Sequence, residues 1–399
     1  MTRYNFDKIT NRKGTNCLKY DFAVERGKPA DVLPLWVADM DFPVSEEITK
    51  SLHAAVEHGI YGYSQPKDAY YNAVMNWMER NHNWKTEREW IVKTPGVVFA
   101  LGAAVKAFTD PGDAILIQNP VYYPFTNIIR DNDRRVVDNT LIYEKTAGQS
   151  GDNGYRIDFE DFERKLEQEH IKLFILCNPH NPVGRVWTAE ELQKLGEICL
   201  RHHVIVVSDE IHNDFVYPGY EHTVFATVDP RFAEFTVTCT APSKTFNLAG
   251  LQTSNIFIPG EAARKAFLEE LDRFHYSGVN RLGAIACQAA YEGGQEWLTE
   301  CKAYLLENLK FLREFLKENL PGVKLIEPEG TYFAWLDFGA WGLNEAELDE
   351  FLIREAKVWL NSGSRFHAPL YQRVVLACPR ATLKEAMERM AKAAEKRGF

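Results

Sequence analysis

The chain of 399 residues carries 46 Lys and Arg against 56 Asp and Glu, a formal net charge of −10, and is 45% hydrophobic and 13% aromatic. This profile excludes a wholly disordered chain, and an acidic balance without a Lys/Arg stripe argues against a nucleic-acid partner. At roughly 150 residues per domain the length provides two or three domains, enough to enclose a small-molecule site.

The opening stretch Met1 to Asp7 holds no apolar segment, and no apolar run nears the ~20 residues of a membrane helix, so a cytoplasmic protein without membrane association is expected. Ser45 to His58 reads as a helix: Ser45 can cap it, Ile48, Leu52 and Val56 recur on one face, and Gly59 supplies the stop. Short β-branched runs follow at Trp90–Val92, Ala114–Ile117, Lys172–Leu176, Val204–Val207 and Thr236–Thr238. Each is apolar on both faces, the pattern of strands buried between two helical layers. Between the third and fourth runs, Thr188-Ala189-Glu190-Glu191 is a capping box opening a helix to about Arg201, which makes a strand-helix-strand unit of an α/β sheet. From Arg281 the texture changes to a long helix reaching about Asn319, a strand within Gly330–Phe338, a helix from Asn344, a strand at Val374–Ala377 and a terminal helix. The expected organisation is a large α/β domain over residues 45–285, and a smaller α+β domain formed by 286–399 with the N-terminal segment 1–44. Seven scattered cysteines without a C-x-x-C pair predict core thiols, and eleven histidines without H-E-x-x-H spacing predict no metal site.

Ligands of open α/β sheets sit at strand ends, so the polar residues just after the buried runs are the candidates. Ser208-Asp209-Glu210-Ile211-His212 ends one run; Asp209 there is either a half-buried carboxylate in need of a cation or simply the start of a turn. Asn178-Pro179-His180-Asn181-Pro182-Val183-Gly184 ends another, and its two Asn-Pro steps impose an extended, cis-compatible backbone that turn chemistry alone also explains. Thr240 to Gly250 places Lys244 after Ser243 and before an apolar stretch. Most lysines are merely solvated, but one removed from water has a depressed pKa and can form a Schiff base. Thr94-Pro95-Gly96-Val97-Val98 is a turn into a helix whose free N–H groups suit a phosphate. A lysine nucleophile, a strand-end Asp and a phosphate-binding helix start are together the three fixtures that pyridoxal phosphate (PLP) requires.

Asn178 to Gly184, Ser208 to His212 and Ser243 to Gly250, in this order and spacing, resemble the fold type I PLP enzymes. Trp36 to Pro43, Ile60-Tyr61-Gly62-Tyr63-Ser64, Gly330 to Asp337 and Ala377-Cys378-Pro379-Arg380 narrow the resemblance to the MalY/PatB type of carbon–sulfur lyase, over nearly the whole chain. The resemblance implies a mainly parallel seven-stranded sheet flanked by helices, with PLP as cofactor. It implies β-elimination on a sulfur-containing L-amino acid: cystathionine to homocysteine, pyruvate and ammonia, or cysteine to hydrogen sulfide, pyruvate and ammonia. Lys244 is then the catalytic lysine joined to the cofactor, Asp209 pairs with the pyridine nitrogen, Asn181 meets the phenolic oxygen, Tyr122 stacks on the ring, and His212 is a further cofactor contact. Gly96, Val97, Val98 and Ser243 hold the phosphate, with Thr240 another hydroxyl candidate and Tyr63 reaching the phosphate of the neighbouring subunit in a homodimer. Ala38 and Arg373 bind substrate. Gln252 stands where aminotransferases carry arginine and His212 where they carry tyrosine, and both departures favour a lyase over an aminotransferase. The stretch Phe366 to Leu376 lacks the family's glycines before Arg373 and runs two residues shorter, which predicts a loop that cannot follow a path needing left-handed backbone at several glycines. That departure keeps a third reading open, a PLP-binding regulatory protein with reduced catalysis.

Overall fold

The computed structural model describes residues 3–144 and 153–399. Seven strands form the large sheet: β1 (Ile91–Thr94), β2 (Ala114–Ile117), β3 (Arg135–Asp138), β4 (Ile171–Cys177), β5 (Ile205–Asp209), β6 (Thr236–Thr240) and β7 (Ser254–Phe257). Their order is β1-β7-β6-β5-β4-β2-β3, and all run parallel except β7, which is antiparallel to both its neighbours. Every residue of β2 and β6 is buried, as expected of strands covered on two faces.

Two of these strands escape a reading based on apolar runs. β3 is an edge strand that starts on exposed Arg135. β7 begins with Ser254 and Asn255, whose polar groups are satisfied inside the sheet layer: Ser254 Oγ lies 2.7 Å from Thr94 Oγ1, and Tyr70 O–H donates to Asn255 Oδ1 at 2.7 Å. Buried polar groups are tolerated where partners exist, so polarity alone misassigns such a strand.

Helix α1 (Glu46–His58) starts where Ser45 accepts from the Ile48 N–H and stops at Gly59, whose φ is 69°. Helices α2 (Asp68–His82), α3 (Val97–Phe108) and α4 (Ala189–Arg201) follow, and Thr188 and Glu191 close the predicted capping box on α4. The single helix expected from Arg281 to Asn319 is instead two, α5 (Arg281–Gly293) and α6 (Gln295–Asn319). They break at Gly294, where an added Cβ would lie 2.3 Å from the Phe246 ring, so the chain bends against a neighbour that admits no side chain.

The second sheet is antiparallel, in the order β8 (Lys324–Ile326), β9 (Phe333–Asp337), β11 (Tyr371–Val375), β10 (Asn361–Ser362). Register places Arg373 opposite Trp335 on β9. The N-terminal segment joins this part of the molecule: Leu33–Pro34 pairs with Val358–Trp359. One apolar cluster runs from α1 and α2 (Ile48, Trp77) through α5 and α6 (Cys287, Leu309) to Phe333 and Leu376. Six of the seven cysteines are buried free thiols, as expected, and Cys17 is partly buried. Among the described residues, no helix is long and apolar enough to cross a membrane.

Candidate active site

Because the strands are parallel, β1, β2, β4, β5 and β6 all end at one edge, and the loops leaving them converge. With the N-terminal segment they enclose a cavity of about 170 Å³.

β5 delivers Asp209 as its last residue, 4% exposed. Its carboxylate accepts from the Ile211 N–H at 3.2 Å and forms no ion pair among the described residues. Burial pushes the carboxyl up to about 7, an effect that the Ile211 N–H and the Lys244 charge only partly offset. β6 delivers Lys244 on a single helical turn, Pro242–Thr245. Lys244 Nζ donates to the Ala38 carbonyl at 2.8 Å, and burial, then the Arg373 charge, lower it to about 8. The Ala38 segment is pinned from outside by ion pairs of Arg12 with Asp39 (2.6 Å) and of buried Lys19 with Asp41 (2.8 Å).

β1 leads to Gly96, which precedes α3 without a side-chain cap; a Cβ there would meet nothing within 4 Å. Val97 and Val98 open the helix on the cavity wall, where first-turn N–H groups have no intrahelical acceptor. β2 leads through a cis Asn119-Pro120 bond to Tyr122, and β4 through a cis Asn178-Pro179 bond to Asn181, which a further cis bond joins to Pro182. Ser243 and His212 complete the wall. The His212 imidazole is neutral, because burial, Lys244 and Arg373 all hold its pKa well below the usual value, and its ring meets Phe333 edge-on at 5.1 Å.

The structure therefore brings Ala38, Gly96, Val97, Val98, Tyr122, Asn181, Asp209, His212, Ser243 and Lys244 to one cavity. Arg373 stands behind this wall. It is 2% exposed, donates to Asn181 Oδ1 at 2.9 Å and to the Trp36 carbonyl at 3.1 Å, and lies over the Phe333 ring at 4.2 Å. Among the described residues no carboxylate pairs with it, so a buried guanidinium faces only neutral acceptors and retains the capacity to take an anion. Tyr63 is not at the cavity of its own chain; it is fully exposed and borders a separate surface hollow with Ser277 and Arg281. His180 is packed, with Nε2 3.0 Å from the Pro120 carbonyl and its ring edge-on to Trp187.

Two expectations are corrected. Thr240 is no phosphate donor here, because its hydroxyl donates to the Asn255 carbonyl at 2.9 Å within the sheet. The loop before Arg373 does use left-handed backbone without glycine, at His367 (φ 62°) and Leu370 (φ 68°). His367 caps the short turn Gly363–Phe366, and its N–H reaches back to Ser364, so local hydrogen bonding offsets a cost of about 1–2 kcal/mol per residue. The far wall, formed by Ala249, Gln252 and Thr253, was not anticipated as lining. It arises because the chain after Lys244 turns back through left-handed Gln252 (φ 47°) into antiparallel β7, and the signal for it is the polar run Gln252 to Asn255 just before Ile256.

The donor set fits PLP on these observations. A buried carboxylate short of a cation suits a protonated ring nitrogen, a buried amine of lowered pKa suits an aldehyde, and an open helix start beside Gly96 suits a phosphate.

Comparison with known proteins agrees with this geometry. The family model described as "Aminotransferase class I and II" matches residues 30–390. Cystathionine beta-lyase PatB of Bacillus subtilis (strain 168) is 45% identical over 388 residues, which are 97% of this chain and 98% of the relative. Cystalysin from Treponema denticola, whose crystal structure contains a pyridoxal 5'-phosphate cofactor, superposes with a TM-score of 0.93 at 36% identity, covering 98% of this chain and 99% of that one. The PLP-bound C-S lyase from Staphylococcus hominis superposes with a TM-score of 0.90 at 34% identity, covering 98% of each chain. With the fold of these PLP-bound structures and a match of this extent, the chain belongs to the aminotransferase class I and II family, in the group that includes PatB.

Proposed function

We propose that this protein is a PLP-dependent carbon–sulfur β-lyase that releases pyruvate and ammonia from sulfur-containing L-amino acids, cystathionine foremost. The observation that carries the reading is the buried Lys244 amine on the same small cavity as the Asp209 carboxylate, which has a backbone N–H but no ion pair among the described residues. Relatives named cystathionine beta-lyase and C-S lyase support the reaction class.

PLP, when bound, supplies an aldehyde that captures amines and a ring that takes up the electron pair left at the substrate Cα. Asp209 would face its ring nitrogen, Asn181 its phenolic oxygen, Tyr122 its ring, and Gly96, Val97, Val98 and Ser243 its phosphate. The chain's own work is then acid–base and positional. Lys244 Nζ, at about 8, is neutral in about a tenth of molecules at pH 7, far more than an ordinary lysine, so it can act as nucleophile and can take the Cα proton. Asp209, facing a cation, is held ionised and keeps that cation protonated. Arg373 holds the substrate carboxylate from behind Asn181, which fixes the Cα–H toward Lys244.

Arg373→Lys keeps the charge and loses the fork. It is expected to raise KM for cystathionine about tenfold or more with kcat changed less than about threefold, measured by steady-state pyruvate release. An unchanged KM would remove Arg373 from the substrate site. Acceptor dependence tests the reaction class: pyruvate should form from cystathionine at full rate without any added 2-oxo acid. Product that appears only with an acceptor would make the protein an aminotransferase. The buried Arg373, which has no carboxylate partner among the described residues, favours catalysis over a purely regulatory role, since a retired clamp has no reason to keep an unpaired charge.

The same reading makes the protein a cytoplasmic homodimer. Its support is the exposed run Ile60, Tyr61 and Tyr63, apolar surface that a second copy would cover while bringing Tyr63 to the partner's phosphate site. The division into a domain of 45–285 and one of 1–44 with 286–399 is likewise proposed, supported by the two separate sheets and the Leu33–Pro34 pairing.

A further inference from the structure

Behind the cavity lies a buried polar junction to which the reaction assigns no step. Asp214 is on the loop that leaves β5 after Asp209 and carries His212, and is 6% exposed. Its carboxylate gathers donors from two other parts of the fold. Oδ2 accepts from Thr245 Oγ1 at 2.6 Å, while Oδ1 accepts from Trp77 Nε1 at 3.2 Å and lies 3.0 Å from His82 Nε2. A carboxylate kept ionised can only accept, so His82 presents its Nε2–H. Thr245 is the residue after Lys244, and Trp77 and His82 both sit on α2. None of the four lines the cofactor cavity.

The consequence is geometric. Asp209 is fixed by its pairing at the end of β5, whereas Lys244 lies beyond the end of the adjacent β6, on the turn Pro242–Thr245. Asp214 ties one to the other and both to a long helix. The other charged or titratable groups near the carboxylate are Lys302 on α6 and, through its ring contact with His82 at 5.6 Å, His222, whose Nε2 lies 2.9 Å from Glu210. Although burial pushes the Asp214 carboxyl up, His82, Thr245 and Lys302 keep it below its ordinary range, so its acceptor character persists across neutral pH.

We propose that Asp214 is a positioning residue for the lyase read above: through Thr245 it fixes Lys244 relative to Asp209, so that amine and carboxylate grip opposite ends of one ligand. The inference rests on that reading for its chemistry, while the geometry of the junction stands independently.

Thr245→Val tests it, because it removes the hydroxyl link and leaves Asp214 bonded to Trp77 and His82. In the PLP-loaded enzyme, kcat for pyruvate release is expected to fall about tenfold with KM within about twofold. The pH midpoint of the bound cofactor's absorbance is expected to move upward by roughly half a unit or more, since a lysine nitrogen loosened toward water is penalised less for carrying charge. Thr245→Ser should restore both. Wild-type kcat together with an unmoved midpoint in Thr245→Val would overturn the proposal and reduce the junction to packing. Should Thr245→Val not fold, Trp77→Phe removes a different donor to the same carboxylate and must shift the midpoint in the same direction; an unmoved midpoint there would also overturn it. Wild-type protein that binds PLP at Lys244 yet releases no pyruvate refutes the lyase reading and leaves the midpoint test decisive for Asp214.

Discussion

Lys244→Ala is expected to lower pyruvate release from cystathionine by roughly 10³-fold or more while the protein stays folded. Among the described residues Lys244 is the sole amine side chain on the cavity wall, so no neighbour there can take over its covalent or proton-transfer role. The structural cost of the change is small. The Ala38 carbonyl that Lys244 bonds keeps a second donor, the Tyr332 hydroxyl at 3.0 Å, and so is not orphaned. Burial holds the amine well below its ordinary pKa, which means the folded state carries a charge it would rather shed; removing that group relieves a cost below pH 8. A melting temperature within a few degrees of wild type is therefore expected alongside the loss of activity. Retained activity at the wild-type rate would exclude Lys244 from the chemistry, whereas global unfolding would show that its role is structural.

Asp209→Asn is expected to separate two roles of one side chain. With PLP bound, loss of the ionised partner for the ring nitrogen should cut kcat by roughly 10²-fold or more and weaken cofactor retention, measured by steady-state assay and by dialysis against absorbance. In the cofactor-free protein the sign reverses. The Asp209 carboxyl is raised to about 7 in the fold against an ordinary 3.8, so its contribution to stability is fully present below about pH 4 and is lost as pH rises through 7. Asparagine has no proton to lose. Cofactor-free Asp209→Asn should therefore gain on wild type between pH 5 and 8, by on the order of 3 kcal/mol at the alkaline end, in denaturant melts at the two pH values. A difference that does not grow with pH would mean that the carboxylate already has a cationic partner in the absence of PLP.

How far the sequence reaches is clearest at the strand ends. Val204 to Val207 is a continuous apolar run, so the polar residues after it had to emerge at a sheet edge, and Asp209 does. The same logic places Lys244 after Thr236–Thr240 and Asn181 after Ile171–Cys177. Each depends only on local hydrophobicity and on the rule that ligands meet parallel sheets at strand ends. What local patterns cannot carry is an approach between distant segments. The Asp214 junction unites residues 77, 82, 214 and 245, and nothing in the run Asn213-Asp214-Phe215 marks Asp214 as different from a solvated aspartate. At Gly294 the two levels meet: the pair Gly293-Gly294 is a local break signal within a helical periodicity, whereas the Phe246 ring that leaves no room for a side chain there comes from another part of the chain. The loop before Arg373 errs in the opposite direction. A preference of glycine for left-handed backbone is a tendency of about 1–2 kcal/mol, which the hydrogen bonds around His367 outweigh.

The central claim is that one buried amine, at position 244, takes the cofactor opposite Asp209. Borohydride reduction of the PLP-loaded protein, followed by proteolysis and peptide mass spectrometry, tests it most directly, because reduction makes the cofactor–lysine bond permanent. The expected result is a pyridoxyl group on the peptide containing Ser243-Lys244-Thr245 and on no other lysine. A label on a different lysine, or none on a protein that has visibly bound PLP, would contradict the account.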